Sequence, residues 1–345
     1  MSASTTASRA ASGPAAPSIR VADVAAAAGV SPATASKALN NTGQLRDSTR
    51  RRVREAAEKL GYVHEPARTA TGSRTITVAL LTGDSVGRFS LPILLGAENA
   101  LSLGQIMVLL CDSRDDPLRE QYYVQQLLKR NVDGLIVTGR RTDARPPIEV
   151  DLPVVYAIAP SAREGDCSVV PDDAAGSRLI FAHLAGIGRR RIAHVTGPAD
   201  HLSARVRSEA LMECAKQAGI PLVADPLFGE WDEAWGRAAA DVLLAGGHEL
   251  DAIACGNDQI ARGVTERLRE RGVGVPREIA VTGYDNWNMM AEGARPPLTT
   301  VDLQLGEIGR RSAELLIDSL GGHPRTGVQR IAPRLVTRGS TLDGS

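Results

Sequence analysis

The chain has 345 residues, enough for two or three folding units rather than one. Its 43% hydrophobic and 23% charged residues are ordinary for a globular protein, and no run of about 18 apolar residues exists to cross a membrane. The formal charge is zero, yet residues 1–75 carry 11 Lys+Arg against 5 Asp+Glu (net +6) and the remainder 29 against 35 (net −6), so a basic head on an acidic body points to a polyanion at the head. Residues 1–18 are Ala/Ser/Thr-rich and lack the apolar centre of a signal peptide, which reads as a disordered tail.

Three helical segments follow quickly. The first, about Ala22 to Ala28, is rich in alanine, the best helix former, and stops at Gly29. Gly29-Val30-Ser31 makes a tight turn. Ser31 is a good N-cap and Pro32 stands at the first helical position, where its missing N–H costs nothing. The second helix runs through about Leu39, and Asn40-Asn41-Thr42-Gly43 is a loop. Asp47 or Ser48 caps a third helix ending near Leu60-Gly61, on which Val53, Ala56, Ala57 and Leu60 form a buried stripe. Two short helices joined by a glycine turn, with a third across them, is the helix-turn-helix layout of residues 19–63.

The run from Val21 to Asn40, VADVAAAAGVSPATASKALN, resembles the signature of the LacI family, as does Thr49-Arg50-Arg51-Arg52-Val53 leading to Leu60-Gly61-Tyr62. The resemblance implies a bacterial transcription repressor. It puts Pro32, Ala33 and Lys37 at base-reading positions of the second helix, and Ser31, Thr34, Ser36 and Asn40 at phosphate-facing or supporting ones. Hydroxyls and a helix N-terminus suit phosphates, and a long cation reaches a guanine edge. Residues 64–75 would be the hinge, with Arg68 touching DNA. Here the family's Pro-Asn pair is replaced by His64-Glu65, and Ala70 stands where a leucine normally wedges into the minor groove. Alanine is a poor wedge, so a less bent operator is expected.

In residues 76–345 short apolar runs alternate with helix-length segments. The runs include Ile76–Leu81, Ile106–Leu110, Gly134–Val137, Pro153–Tyr156, Arg191–Val195, Leu250–Ala254 and Glu278–Val281. The helical segments include 91–103, 117–130, 174–186, 203–218, 231–245, 258–271 and 305–320. Repeated βα units argue for an α/β body of two parallel-sheet lobes with a cleft between them, and ligands in such sheets sit beyond the carboxyl ends of strands. Asn257-Asp258, Gly283-Tyr284-Asp285 and Arg205 to Arg207 fall just past such ends. An amide, a carboxylate and a guanidinium converging there can bind the hydroxyls of a sugar or nucleoside, and Trp231 can stack on an apolar ring face.

Blocks such as Val170-Pro171-Asp172-Asp173, Gly256-Asn257-Asp258-Gln259 and Val275 to Asp285 resemble the family again. The resemblance implies a periplasmic-binding-protein-like body, with lobe 1 at about 76–172 and 302–332 and lobe 2 at about 173–301 and 333–345. By position it makes Arg207, Trp231, Asn257 and Asp285 the effector contacts. The implied partners are a pseudo-palindromic double-stranded DNA operator, a small-molecule effector best read as a sugar, and a second copy in a homodimer, with a tetramer left open. Asn286 departs from the family's second aspartate, and the loop Thr82 to Phe89 lacks its Asn-Pro-Phe-Phe.

Cys111, Cys167, Cys214 and Cys255 are far apart without C-x-x-C spacing, which argues against a metal site or disulfide framework and fits free thiols in a cytoplasm. No cofactor is expected, and no membrane association. An enzyme is disfavoured. Gly83-Asp84-Ser85-Val86-Gly87 matches the hydrolase elbow G-x-S-x-G, but Arg88 to Pro92 delay the helix that an elbow needs at its serine. A periplasmic sugar-binding protein would share the body, but it needs an export signal and has no DNA reader.

Overall fold

The computed structural model describes residues 21–39, 45, 47–60, 62, 75–84, 86–100, 105–139, 141–247 and 249–342. The chain divides into two compact units at Arg74/Thr75.

The first unit holds α1 (Val21–Ala28), α2 (Pro32–Leu39) and α3 (Asp47–Leu60). Gly29 takes φ +64° and ends α1, and the Val30 N–H donates back to the Ala25 carbonyl at 3.0 Å. The Ser31 hydroxyl accepts the Thr34 N–H at 3.1 Å, the capping bond expected at the start of α2. The core is Val24, Ala25, Ala28, Ala35, Ala38, Val53, Ala56 and Ala57. Alanine at most of these positions lets three short helices approach closely. Leu60 does not complete the buried stripe: as the last residue of α3 it stands 37% exposed, and Tyr62 packs on the cluster instead.

The second unit is built from two six-stranded sheets. The first has the order β11-β5-β4-β3-β1-β2 and is parallel throughout. Its strands are β1 (Ile76–Thr82), β2 (Ile106–Asp112), β3 (Gly134–Thr138), β4 (Val154–Ala157), β5 (Cys167–Pro171) and β11 (Gly327–Ile331). The second has the order β12-β10-β9-β8-β6-β7, with β12 antiparallel at its edge. It comprises β6 (Ile192–Thr196), β7 (Leu227–Phe228), β8 (Ala252–Cys255), β9 (Ala280–Tyr284), β10 (Thr299–Asp302) and β12 (Arg334–Val336). Strands β3, β5, β6, β8 and β9 are buried along their whole length, as near-continuous apolar runs require when helices cover both faces.

The helices are α4 (Ser90–Glu98), α5 (Pro117–Lys129), α6 (Asp173–Gly186), α7 (Leu202–Gln217), α8 (Glu233–Ala245), α9 (Asp258–Glu270), α10 (Asn288–Ala291) and α11 (Leu305–Leu320). The chain passes from one sheet to the other three times, between β5 and β6, β10 and β11, and β11 and β12. Helix α8 starts at Glu233 rather than 231 because Asp232 caps it, accepting the Trp235 N–H at 2.7 Å.

Helices α4 and α11 pack with almost no space between backbones. A Cβ placed on Gly96 would lie 1.9 Å from the Gly306 carbonyl oxygen. Gly96→Val should therefore destabilise the body by about 3 kcal/mol or more, seen as a lower urea midpoint. An unchanged midpoint would show that the two helices are free to separate.

Candidate functional site

A cavity of about 840 Å³ lies at the carboxyl ends of both sheets, within the size range of small-molecule sites. The first lobe supplies Asp84, Arg88, Phe89 and Ile158 to its walls; the second supplies Arg207, Trp231, Asp285 and Trp287, among others.

Arg207 is the centre of the second-lobe wall. It comes from α7 and is 5% exposed. Its Nε donates to Asp173 Oδ1 at 2.9 Å, its Nη1 donates to the Gly256 carbonyl at 2.6 Å, and Nη1 lies 3.7 Å from Asp285 Oδ1. The guanidinium stacks on Tyr284, 3.8 Å from the ring centroid. The Tyr284 hydroxyl in turn donates to the Asp173 carbonyl at 2.9 Å. A buried guanidinium persists only when paired and hydrogen-bonded in this way.

Asp285 follows β9 with φ +98°, and Asn286 follows with φ +51°. Two consecutive non-glycine residues at positive φ mark a turn held against its intrinsic preference. The Asp285 N–H donates to the Val301 carbonyl at 2.8 Å, and Arg338 donates to Asn286 Oδ1 at 2.9 Å. Asparagine tolerates left-handed geometry, which is a physical reason for Asn286 at this point.

Behind the wall Asp258 is fully buried. Its carboxylate accepts the Thr300 hydroxyl at 2.5 Å and the Trp287 N–H at 2.7 Å. Burial raises its pKa to about 6, against the opposing pull of those bonds and of Arg88. His194 on β6 is also buried, its Nδ1 bonded to the Ala254 carbonyl at 2.8 Å, and burial lowers its pKa to about 4.

Of the four residues expected to contact an effector, the structure brings all to the cavity lining, but their side chains differ in what they have left to offer. Asn257 Oδ1 accepts the Ile260 N–H at 2.8 Å, capping α9, and its Nδ2 donates to the Trp231 carbonyl at 3.3 Å. Both ends of the amide are thus engaged, so Asn257 positions Trp231 and α9. The Trp231 indole lies against Gly197, where a Cβ would come within 2.1 Å of the ring, and its Nε1 donates to His201 Nδ1 at 2.7 Å. Burial lowers the His201 pKa, favouring the neutral ring that can accept this bond.

Sequence reasoning passed over Arg88, Gln259, Trp287 and Ile158. The signal for Arg88 was an arginine in a loop after a strand end, a place where many arginines are simply solvated. Ile158, a β-branched residue at φ +71°, carries no sequence signal at all, because its backbone strain is visible only in three dimensions.

In the first unit Ser31 before α2, and Pro32, Ala33 and Lys37 on it, are exposed to solvent, with Thr34 and Ser36 half-buried. The Ser31 and Thr34 hydroxyls lie 2.9 Å apart. Asn40, Arg68 and the hinge with Ala70 lie outside the described residues.

The signature of a periplasmic binding protein-like domain matches residues 181–341, and that of bacterial regulatory proteins of the lacI family matches residues 20–65. The HTH-type transcriptional regulator CelR of Thermobifida fusca is 32% identical over 323 residues, covering 89% of this chain and 94% of that protein. The chain belongs to the lacI family of bacterial regulatory proteins. The HTH-type transcriptional repressor CytR of Escherichia coli (strain K12) is 28% identical over 327 residues, covering 92% and 95%. Among solved structures, the lac repressor dimer bound to operator and the anti-inducer ONPF matches with a TM-score of 0.70 at 25% identity, over 94% of this chain and 100% of that one. The transcriptional regulator CelR–cellobiose complex matches at 0.66 with 29% identity, over 93% and 99%.

As a lacI-family member the chain is a helix-turn-helix DNA-binding transcriptional regulator with an effector-binding type of body. The G-x-S-x-G run is not followed at once by a helix, since α4 begins at Ser90; Ser85 itself lies outside the described residues. No helix among the described residues is long and apolar enough to cross a membrane.

The raised pKa of Asp258 has a sign that can be tested. The folded protein binds this proton at a higher pH than the unfolded chain, so the contribution is full below about pH 4 and is lost as pH rises through about 6. Relative to the parent, Asp258→Asn should therefore be less stable by a further 1–2 kcal/mol, on the order of magnitude, at about pH 4.5 than at about pH 7. Urea unfolding at the two pH values measures this, and a constant deficit would place the carboxyl's ordinary titration below that window.

Proposed function

We propose that this lacI-family regulator is a cytoplasmic repressor that binds a pseudo-palindromic operator as a homodimer and answers to a neutral sugar held between the two lobes. In this reading residues 19–63 read DNA, 64–75 are the hinge, and 76–345 bind effector and dimerise. Lobe 1 is then about 76–172 with 302–332, and lobe 2 about 173–301 with 333–345. Pro32, Ala33 and Lys37 face base edges, while Ser31, Thr34, Ser36, Asn40 and Arg68 face the backbone or support the reader.

The observation that carries the effector reading is the neutralised cluster at the cavity wall. The charges of Arg207 and Arg88 together are met by Asp173 and Asp285, so this cluster as a whole offers no net charge to an ionic ligand. What remains is polar edges beside aromatic faces, Trp231 and Trp287, a combination suited to a ring with hydroxyls on its edge and carbons on its face. The CelR–cellobiose complex is a relative that holds a sugar. The dimer reading is supported by exposed Met107 and Leu110 on the edge strand β2 and by exposed Leu91 and Leu95 on α4, which packs beside it. A second copy would cover these apolar groups and the open strand edge. Effector binding would shift the packing of the lobes and change operator affinity, a coupling typically of about 1–3 kcal/mol.

Selection of bound duplexes from a random pool by the full-length protein, at stated salt, should recover an inverted repeat. On that duplex, Lys37→Ala should relax the choice of base at one position in each half-site, costing about 1–3 kcal/mol against the parent sequence. Thr34→Ala should weaken all duplexes alike. A pool without a motif, or equal losses on every duplex for Lys37→Ala, would contradict the assignment.

A further inference from the structure

Arg88 is a first-lobe residue whose side-chain ion-pair and hydrogen-bond partners, Asp285 and Gln259, are in the second lobe. The loop that carries it is fixed from behind: Asp84 Oδ2 accepts the N–H groups of Phe89 at 2.6 Å and Ser90 at 3.0 Å, so it caps α4 and closes the turn. Gly87, at φ +77°, makes that turn possible. From this base the Arg88 side chain crosses the cavity. Its Nη2 pairs with Asp285 Oδ2, and its Nη1 donates to Gln259 Oε1 at 3.1 Å. The guanidinium lies over the rings of Phe89 and Trp287, at 4.8 and 5.1 Å from their centroids.

Other contacts also cross between the lobes. Asp143 Oδ1 accepts the Leu202 N–H at 3.2 Å at the start of α7, and Arg141 lies 3.5 Å from Asp200. The second of these pairs is well exposed, where solvent and salt screen it. The Arg88 side chain is 13% exposed and its Asp285 partner 4%. A buried pair is screened far less, so this contact keeps more of its attraction than the exposed Arg141–Asp200 pair.

We propose that Arg88 is an internal ligand of the cavity: its guanidinium occupies the seat formed by Asp285, Gln259 and Trp287, bridges the two lobes, and sets which molecules can enter by having to be displaced. The seat is occupied but not fully satisfied. Arg88 Nε is buried and has no hydrogen-bond partner among the described residues, so the internal ligand holds its place less well than an entering molecule that meets every polar group. Burial lowers the Arg88 pKa to about 10, which leaves it charged at neutral pH. The consequence for selectivity rests on the reading of this cavity as the effector site. A molecule that takes the seat must donate to Asp285 once Arg88 has left and must cover Trp287, which favours a neutral ring with adjacent hydroxyls over an anion.

The bridge is tested without any effector, by hydrogen exchange on the full-length protein. In Arg88→Met, which keeps the aliphatic bulk and removes the charge, amides in 258–262 and 284–290 should exchange at least roughly tenfold faster than in the parent. Arg88→Lys, which retains the ion pair with Asp285, should recover part of the protection. Arg88→Ala opens the seat, and millimolar ethylguanidinium should restore protection there, whereas urea at the same concentration should not. Parent-like exchange in Arg88→Met, or no response of Arg88→Ala to ethylguanidinium beyond that to urea, overturns the proposal. Because no effector is present, failure here leaves the effector reading standing, and failure to find a sugar effector leaves the bridge standing.

Discussion

A guanidinium cannot be buried alone. Arg207 lies where the strands of the second sheet end, and its charge must be answered there. Asp173 at the start of α6, the carbonyl of Gly256 after β8 and Asp285 after β9 answer it, and Tyr284 covers its face. These groups are scattered over more than a hundred residues of sequence. One side chain thereby fixes the relative positions of a helix start and two strand ends, and those positions are the wall of the cavity. The positive φ of Asp285 fits the same demand: the backbone bends so that its carboxylate can lie between Arg207 and Arg88.

Other features of the site build outward from this constraint. Asp258 follows Gly256 and Asn257 directly, so once β8 is in place its carboxylate lies beneath the turn that carries Trp287 and can hold that backbone N–H. Asn257 caps α9 and holds Trp231 by its carbonyl, so the stacking surface is set by the same strand end. On this wall of the cavity Arg207 and Arg88 are paired with Asp173 and Asp285, and the indole rings of Trp231 and Trp287 line the same space. Such a site selects by shape and hydrogen-bond geometry more than by charge.

Much of this was legible from the residues. The head announces itself through Gly29, Ser31 and Pro32, whose conformational roles are local, and through alanines whose small size is the packing. The alternation of apolar runs and helical segments predicts the two-sheet body, because parallel strands buried on both faces need continuous apolar stretches. The strands that escaped notice are β5, β7, β10, β11 and β12. Except for the fully buried β5, these are short or carry polar residues, such as Thr299-Thr300 or Gln329-Arg330. Arg207 and Asp285 fall past strand ends, but it was the resemblance to the family, position by position, that singled them out as effector contacts. Asn257 was found for the same reason, but its engagement in a cap and in holding Trp231 depends on atoms that only the fold brings together. The loop that carries Arg88 was marked by its departure from the family's pattern at the effector site, but Arg88 itself was not singled out because its partners Gln259, Asp285 and Trp287 are brought to it only by the fold.

The account's central claim is that the charge-paired cavity of the body receives a neutral, hydroxyl-bearing ring. Thermal unfolding of the full-length protein against neutral sugars, nucleosides, sugar acids and sugar phosphates tests it most directly, since a ligand that binds only the folded state raises the transition temperature. The account predicts a rise with at least one neutral sugar, and loss of that rise in Asp285→Asn, a replacement that tolerates the positive φ. Stabilisation confined to the anionic compounds, or a sugar response unchanged by Asp285→Asn, would contradict it.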